Sequence, residues 1–594
     1  MDELTDELTV ELMGTDLKTT PLQKLDAVVI GAGFAGLYML HRLRQLGLNA
    51  RVFEAGDGVG GTWFWNCYPG ARCDVESMQY SYSFDDALQQ SWTWSERYPR
   101  QDEILRYINH VADRFDLRRD IQLNTRVLGA RWDEAQLHWT VSTDGDEELQ
   151  ARFVISAMGC LSAARVPDFE GLDDFAGRWY HTGDWPKTPV DFSGLRVGVV
   201  GTGSSGIQSI PAIAKQAREV VVFQRTPNYS IPAWNGPLTL QAQQEWNLNY
   251  NDHRERARGT RSGILYDYST RAAASVSAEE REAEYERRWS HGGANFTHAF
   301  NDIYFDEFAN ETASGFVRSK IRSIVKDPAT AALLAPTDHA IGTKRICVDS
   351  DYYATFNLPH VKLVSLKVDP IQRIVPEGIR TQAETHKLDA IVFATGYDAV
   401  TGALDRVDIR GVSGQELKAK WAQGPRTYLG LMCAGFPNLF TITGPSSPSV
   451  LTNVVVAIEQ HTGWIADCLA QMQHSGAQRI EATPEAENGW MAHAFEVASK
   501  TLFKNANSWY TGANIPGKPR VFLPYIGGLG NYTVICNDVA AADYRGFVFA
   551  KGPTSGSAPE PARAARPEST LTPALVPTPV PTPALQHPSI PETR

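Results

Sequence analysis

The segment LDAVVIGAGFAGLYMLHRLRQLGLNARVFE, residues 25–54, joins three local patterns. LDAVVI is a short apolar run, which predicts a buried parallel strand. Leucines then recur at helical spacing until Gly47, a residue type that commonly closes helices. ARVF predicts a second strand, which ends at Glu54. Strand, glycine-rich turn, helix and strand form the opening of a dinucleotide-binding fold.

The turn GAGFAG has the glycines that such a fold uses to hold a pyrophosphate. Gly31 permits the tight turn, Gly33 lets the backbone approach the phosphates, and Gly36 allows the helix to pack closely on the strand. The N-terminus of the helix adds unpaired N–H groups and the positive end of its dipole. Glu54 lies 23 residues after Gly31, where an acid can accept hydrogen bonds from ribose hydroxyls.

A second copy of the pattern, RVGVVGTGSSGIQSIPAIAKQAREVVVFQR, covers residues 196–225. Its second strand ends in Arg225 rather than in an acid. An acid there would repel the 2′-phosphate of NADPH, whereas an arginine can form two hydrogen bonds to that phosphate. The first site therefore suits FAD and the second suits NADPH. The alternative for Arg225 is a solvated surface arginine. The residues predicted to contact NADPH here are Gly201, Gly203, Ser204, Ser205, Gly206, Arg225 and Thr226.

The rest of the chain divides by composition. Residues 230–332 contain charged, helix-prone runs such as SAEEREAEYERRW, and KLDAIVFATGYD (387–398) predicts a strand that returns to the first domain. The predicted fold class is α/β, with two interleaved Rossmann-like dinucleotide-binding domains and a helical insertion. The predicted parts are an acidic N-terminal extension (1–24), an FAD-binding domain (25–160 and 388–551), an NADPH-binding domain (161–229 and 333–387), a helical insertion (230–332) and a disordered Pro-rich tail (552–594).

Composition narrows the function classes. The 594 residues carry a net charge of −12, which argues against nucleic acid or an anionic membrane as the main partner. Seven scattered cysteines fit a reducing compartment, and Cys67 and Cys73 are expected to be ordinary thiols. We expect a cytoplasmic protein, because the first segment lacks the pattern of a signal peptide and no apolar run reaches membrane-spanning length. No metal site and no obligate protein partner are predicted.

Two phosphate-binding turns alone would fit many flavin enzymes, including disulfide reductases and N-hydroxylases. The segment FAGRWYHTGDWP between them is more specific, because it matches the pattern FxGxxxHxxxWP at Phe175, Gly177, His181, Trp185 and Pro186. This pattern resembles the fingerprint of Baeyer–Villiger monooxygenases. Related N-hydroxylating enzymes usually carry Phe or Tyr at the position of Trp185.

A second fingerprint follows the first turn. GGTWFWNCYPGARCD, residues 60–74, is similar to the family pattern GGxWxxxx(F/Y)PGxxxD and places Trp63 and Asp74 beside the FAD site. The resemblance runs from about residue 25 to about residue 551 and fits the phenylacetone and steroid monooxygenase branch best. One departure is Met158, where the family often has threonine.

The resemblance implies a reaction and roles for its residues. NADPH would reduce FAD, O2 would add to give a C4a-peroxyflavin, and this species would convert a ketone to an ester or lactone. Arg345 looks like the catalytic cation, Asp74 like the carboxylate that orients it, and Lys344 like a second contact for the 2′-phosphate. The alternative for Lys344 and Arg345 is a solvated basic pair. His181 is expected to be a hydrogen-bonded hinge residue rather than a base.

The substrate pocket of the family would fall on Cys160, Ser449, Val450, Leu451 and Trp509. Two rival functions stay open at this point. One is an N- or S-oxidising flavin monooxygenase, which Trp185 and Pro186 disfavour. The other is a flavin-binding protein without turnover, such as a redox sensor, which the presence of Arg345, Asp74 and both turns disfavours.

Overall fold

The structure is a computed structural model that describes residues 22–552. The predicted acidic extension and Pro-rich tail lie outside this range, apart from residues 22–24 and 552. Across the described range, no helix combines the length and apolar character that crossing a bilayer requires.

The described residues form twenty strands and fifteen α-helices. The strands are β1 (Gln23–Ile30), β2 (Ala50–Phe53), β3 (Ile121–Gln122), β4 (Val127–Asp133), β5 (His138–Thr143), β6 (Glu148–Ser156), β7 (Arg178–His181), β8 (Arg196–Val200), β9 (Glu219–Gln224), β10 (Ser230–Pro232), β11 (Cys347–Asp349), β12 (Val361–Ser365), β13 (Ile371–Val375), β14 (Gly378–Thr381), β15 (Thr385–Lys387), β16 (Ala390–Phe393), β17 (Asp408–Arg410), β18 (Leu439–Thr441), β19 (Arg479–Ala482) and β20 (Phe547–Ala550). The α-helices are α1 (Phe34–Gln45), α2 (Thr62–Trp65), α3 (Asp86–Ser91), α4 (Gln101–Arg114), α5 (Ser204–Ala214), α6 (Leu240–Leu248), α7 (Tyr250–Gly259), α8 (Ala278–His291), α9 (Glu307–Ile324), α10 (Pro328–Leu334), α11 (Tyr352–Thr355), α12 (Leu417–Lys420), α13 (Val454–Ser475), α14 (Pro484–Ser499) and α15 (Leu529–Ala541).

The first sheet has the strand order β17-β4-β5-β6-β1-β2-β3, and β18 adds to β6. Its central strand β1 runs parallel to both β2 and β6. Helix α1 packs on this sheet through Leu37, Leu40 and Leu43, which are fully buried. Burying each leucine contributes roughly 1.5–3 kcal/mol, so the face predicted from helical spacing holds the helix in place. Strand β1 begins two residues before the predicted start, because Gln23 still pairs with Leu149.

The second sheet has the order β12-β9-β8-β16-β7 and is parallel throughout. Helix α5 follows β8 and buries Ile207, Ile210 and Ala214. The prediction that KLDAIVFATGYD returns to the first domain is wrong, because β16 lies between β8 and β7 in this second sheet. An apolar run identifies a buried parallel strand but not its neighbours. The chain re-enters the first sheet only at β17, which pairs with β4.

The predicted helical insertion holds α6 to α9 and most of α10, preceded by the short strand β10. Strand β10, at the start of the insertion, pairs in parallel with β11, which follows the insertion in the chain. Helix α8 begins with a capping box, in which Ser277 Oγ accepts from Glu280 N and Glu280 Oε2 accepts from Ser277 N. The first sheet is mixed, because β5 runs antiparallel to β4 and β6, and the second sheet is parallel. These two sheets, visited alternately by the chain, and the helical insertion confirm the predicted α/β fold class. The remaining domain boundaries stay a prediction.

Candidate active site

The first glycine-rich turn connects β1 to α1 with little free space. Gly31 has φ +103°, and a Cβ added there would lie 2.8 Å from the carbonyl oxygen of Ala157. A Cβ at Gly36 would lie 1.8 Å from the oxygen of Gly31, so helix and turn are in direct contact. Gly33 forms the N-cap of α1 without a side-chain cap, which leaves backbone N–H groups of the first turn available to an anion.

The second turn repeats this geometry between β8 and α5. Gly201 has φ +109°, and a Cβ at Gly206 would lie 2.2 Å from the oxygen of Gly201. Gly203 caps α5 with backbone angles within a few degrees of those of Gly33. A Cβ at Gly203 would have no protein atom within 4 Å, so this side of the turn is open to a ligand. Both turns therefore fit the pyrophosphate of a dinucleotide.

The residues at the ends of the second strands differ as the sequence indicates. Glu54 is buried, and its two carboxylate oxygens accept from the N–H groups of Ala32 and Gly56, each at 2.8 Å. These bonds hold the carboxylate beside the first turn, and each oxygen keeps a lone pair for a ribose hydroxyl. Arg225 is exposed at the end of β9, in front of the second turn.

Other predicted NADPH contacts surround the second turn. Ser204 Oγ lies 3.4 Å from Cys347 Sγ, Ser205 Oγ lies 3.1 Å from Thr182 Oγ1, and the carbonyl of Thr226 accepts from the Thr202 hydroxyl. Burial lowers the pKa of Lys344; Asp338 opposes that shift and the charge of Arg225 adds to it. Lys344 and Arg225 are thus close enough to repel each other, which a bound phosphate dianion would relieve.

Arg345 and Asp74, which lie 271 positions apart, form a two-point ion pair. Arg345 Nε donates to Asp74 Oδ2 at 2.8 Å, and Nη2 donates to Oδ1 at 2.7 Å. Arg345 Nη1 donates to the carbonyl of Val450 at 2.6 Å. Burial alone would lower the pKa of Arg345, but the charge and hydrogen bonds of Asp74 override it and raise that pKa well above its usual value. The guanidinium is therefore a permanent cation with a fixed orientation.

A cavity with about 100 Å³ of water-accessible space lies beside Arg345. Leu451, predicted for the substrate pocket, lines this cavity. Cys160, Val450 and Trp509 pack in the hydrophobic cluster behind Leu451, and Ser449 is buried next to Val450. Sequence reasoning missed the other side of the cavity, because no motif marks it. The residues that line this other side include Arg261, Tyr266, His298, Tyr304, Phe503 and Tyr510.

His181 of the fingerprint is buried and links segments of the chain through hydrogen bonds. Its Nδ1 accepts from Gly183 N at 3.0 Å, which leaves Nε2 as the donor to Thr395 Oγ1 at 3.2 Å. The Thr395 hydroxyl donates in turn to the carbonyl of Arg165. Burial lowers the pKa of His181, so the ring is neutral and joins β7 to the two segments that cross between the sheets. The hydrogen-bonded environment is as expected, and the hinge role of His181 stays a prediction.

The two fingerprints touch each other. The backbone N–H of Trp185 lies 3.5 Å from the carbonyl of Trp65, and the thiol of Cys67 lies within 3.7 Å of the carbonyls of Trp185 and Pro186. The remaining aromatic and glycine positions pack within their own domains. Trp63 donates to Tyr80, Phe175 is buried, and a Cβ at Gly177 would lie 2.4 Å from the carbonyl of Asp389.

Comparisons with known proteins agree with this architecture. Residues 28–257 match the family model described as pyridine nucleotide-disulphide oxidoreductase. The chain is 43% identical over 526 residues to a Baeyer–Villiger monooxygenase of Pseudooceanicola batsensis, covering 88% of this chain and 95% of that protein. It is also 43% identical over 534 residues to a phenazine N-monooxygenase of Lysobacter antibioticus, covering 89% and 98%.

Among solved structures, an oxidised steroid monooxygenase bound to NADP superposes with a TM-score of 0.86. It shares 52% identity, and the match covers 89% of this chain and all of that one. Identity at this level over nearly the whole length of a relative is far above what a shared fold alone produces. The chain therefore belongs to the Baeyer–Villiger monooxygenase family.

Proposed function

We propose that this protein is an FAD- and NADPH-dependent Baeyer–Villiger monooxygenase that converts ketones to esters or lactones. The net reaction consumes a ketone, O2, NADPH and one proton, and yields the ester, NADP+ and water. The observation that carries the proposal is the Arg345–Asp74 ion pair, because it holds a permanent cation at the wall of a cavity in a chain that also has two dinucleotide-binding turns.

Each cofactor has a set of residues suited to it. The first turn and Glu54 would hold FAD, whereas the second turn, Arg225 and Lys344 would hold NADPH. When bound, FAD takes a hydride from NADPH and activates O2 for transfer to the substrate. The protein supplies position, charge and a site that excludes water.

Arg345 has the geometry needed to stabilise negative charge on a substrate oxygen. An arginine has five N–H groups, and three of them donate to Asp74 and Val450. Two N–H groups are left to donate to the ketone oxygen as it becomes an alkoxide. Because Asp74 and Val450 fix the guanidinium in advance, no reorganisation is needed during the reaction. The aromatic and aliphatic wall beside it strengthens this charge interaction by excluding water.

The proposal is tested by supplying purified, yellow enzyme with NADPH and a panel of aryl, steroid, alicyclic and linear ketones. We expect at least one ketone to accelerate NADPH oxidation and to yield the corresponding ester or lactone by gas chromatography–mass spectrometry. NADPH oxidation that no ketone accelerates, without any ester, would reject the proposal.

A second candidate function is N-oxidation, which the similarity to a phenazine N-monooxygenase favours. Aromatic N-heterocycles and sulfides in the same panel separate the two candidates, since they give N-oxides or sulfoxides instead of esters. We also propose a cytoplasmic location, which is supported by seven cysteines that are all free thiols.

A further inference from the structure

A second guanidinium, that of Arg261, lines the same cavity as Arg345. Arg261 follows the end of α7 in the helical insertion, and its carbonyl accepts from Leu529 N at 2.8 Å. Gly528, with φ +92°, allows this approach, because a Cβ there would lie 3.1 Å from Arg261 Cγ. The insertion and the start of α15 together hold Arg261 against the cavity.

Arg261 is not charge-compensated within the part of the chain that the structure describes. Arg345 is neutralised by Asp74, whereas Arg261 has neither a carboxylate within 4.0 Å nor a hydrogen-bond acceptor for its side chain among residues 22–552. No aspartate or glutamate of this range lines the cavity. His298, which does line it, is neutral because burial lowers its pKa to about 3. The cavity therefore carries one uncompensated positive charge.

The Arg261 guanidinium contacts aromatic rings, and these contacts leave its N–H groups without an acceptor among residues 22–552. The guanidinium carbon lies 5.4 Å from the ring centre of Tyr304 and 4.9 Å from that of Phe305. Such cation–π contacts use the field of the ring and are weaker than hydrogen bonds between ions. They do not satisfy the five N–H donors, which suit the two oxygens of a carboxylate. Arg261 is partly buried, and a partly buried cation without an ionic or hydrogen-bonding partner is unfavourable, so an anionic ligand would stabilise it.

We propose that Arg261 binds a carboxylate on the substrate, so that this enzyme prefers keto acids to neutral ketones of the same size. The inference rests on the proposed function and adds a substrate class to it. The ketone carbonyl would be recognised by Arg345 and the distant carboxylate by Arg261, with the apolar chain of the substrate against Phe503 and Ile526.

The test compares matched substrates, a series of methyl ketones that end in a carboxylate or in a primary amide, such as 6-oxoheptanoate and 6-oxoheptanamide. One well-placed ionic hydrogen-bonding contact should give the acid an advantage in kcat/KM of at least about tenfold at the best chain length. In Arg261→Met this ratio should fall to about one, and Arg261→Lys should retain part of it. Arg256→Met removes an exposed arginine from the same helix end and should keep the wild-type ratio.

A binding measurement separates this inference from the proposed function. Heptanoate and heptanamide lack a ketone, and their affinities for the FAD-loaded enzyme can be measured by titration calorimetry with NADP+ saturating the second turn. We expect the wild type, but not Arg261→Met, to bind heptanoate about tenfold more tightly than heptanamide. Equal affinities and equal kcat/KM for acid and amide in the wild type would overturn the inference, as would a preference that survives in Arg261→Met. A failure to form any ester, with tight heptanoate binding, would instead count against the proposed function.

Discussion

Arg345 is held from two sides, and its partners should contribute differently to the reaction. Arg345→Ala should still bind FAD, because both turns remain, but should lose at least about a hundredfold in ester formation, since a preorganised charge at a developing oxyanion contributes on the order of 3–4 kcal/mol. Asp74→Ala should cause a smaller loss, because the cation remains but is poorly aimed. Flavin absorbance reports binding and chromatography counts the ester; near-normal ester formation by Arg345→Ala would contradict the assigned role.

Arg225 provides a second prediction at the residue scale, concerning the choice of coenzyme. Only NADPH carries the 2′-phosphate, and a hydrogen bond to a charged group is worth about 1.5–3 kcal/mol. Arg225→Ala should therefore raise the KM for NADPH by about 10- to 150-fold and change the KM for NADH little. Steady-state kinetics with both coenzymes provides its own control, and an equal loss with both would reject the assignment.

Single residues also show how far sequence reasoning reaches. The pairing of Asp74 with Arg345 was implied only by the resemblance of their segments to the family motifs, because local spacing carries no information about residues 271 positions apart. The carbonyl of Val450, which completes the hold on Arg345, could not be predicted, since any residue has a carbonyl. Arg261 was missed for a related reason: its importance comes from the absence of a nearby acid in three dimensions.

At the element scale, two glycines in the turn before α5 are expected to have different functions. Ala at position 206 would put its Cβ 2.2 Å from the oxygen of Gly201, and such overpacking costs roughly 1–3 kcal/mol or more. Ala at position 203 meets no protein atom within 4 Å, yet it projects where the pyrophosphate should lie. Gly206→Ala should therefore lower the melting temperature, whereas Gly203→Ala should keep it and weaken NADPH binding. A Gly203→Ala protein with normal NADPH affinity would show that this turn is not the coenzyme site.

Helices and strands can be predicted from the sequence where the pattern that specifies them lies within a few residues. The strand–turn–helix units at 25–54 and 196–225 have bounds close to those expected, because glycine spacing and apolar periodicity act within a few residues. Strand β16 was assigned to the wrong sheet, because pairing depends on partners about 190 to 210 positions away. The sequence predicts that the insertion is helical. The charge pattern of its helices does not show that the residues after the end of α7 lie at the cavity.

At the scale of the whole molecule, the ion pair and its carbonyl partner bring together three segments that are far apart in the sequence. Asp74 comes from the first fingerprint, Arg345 from the segment after the insertion, and Val450 from the loop before α13. The contact of Trp185 with Trp65 and the hydrogen bonds of His181 link the same parts. The two domains are thus joined through residues in direct contact.

A Baeyer–Villiger monooxygenase inserts one atom of O2 beside a ketone carbonyl. The most direct test of this reaction is a single turnover with ¹⁸O2, NADPH and a ketone accepted in the panel, followed by mass spectrometry of the product. We expect an ester with one ¹⁸O atom, located in the alkoxy oxygen, and an unlabelled carbonyl. An ester without the label, or with the label in its carbonyl oxygen, would show that the oxygen is not inserted from O2 beside the carbonyl.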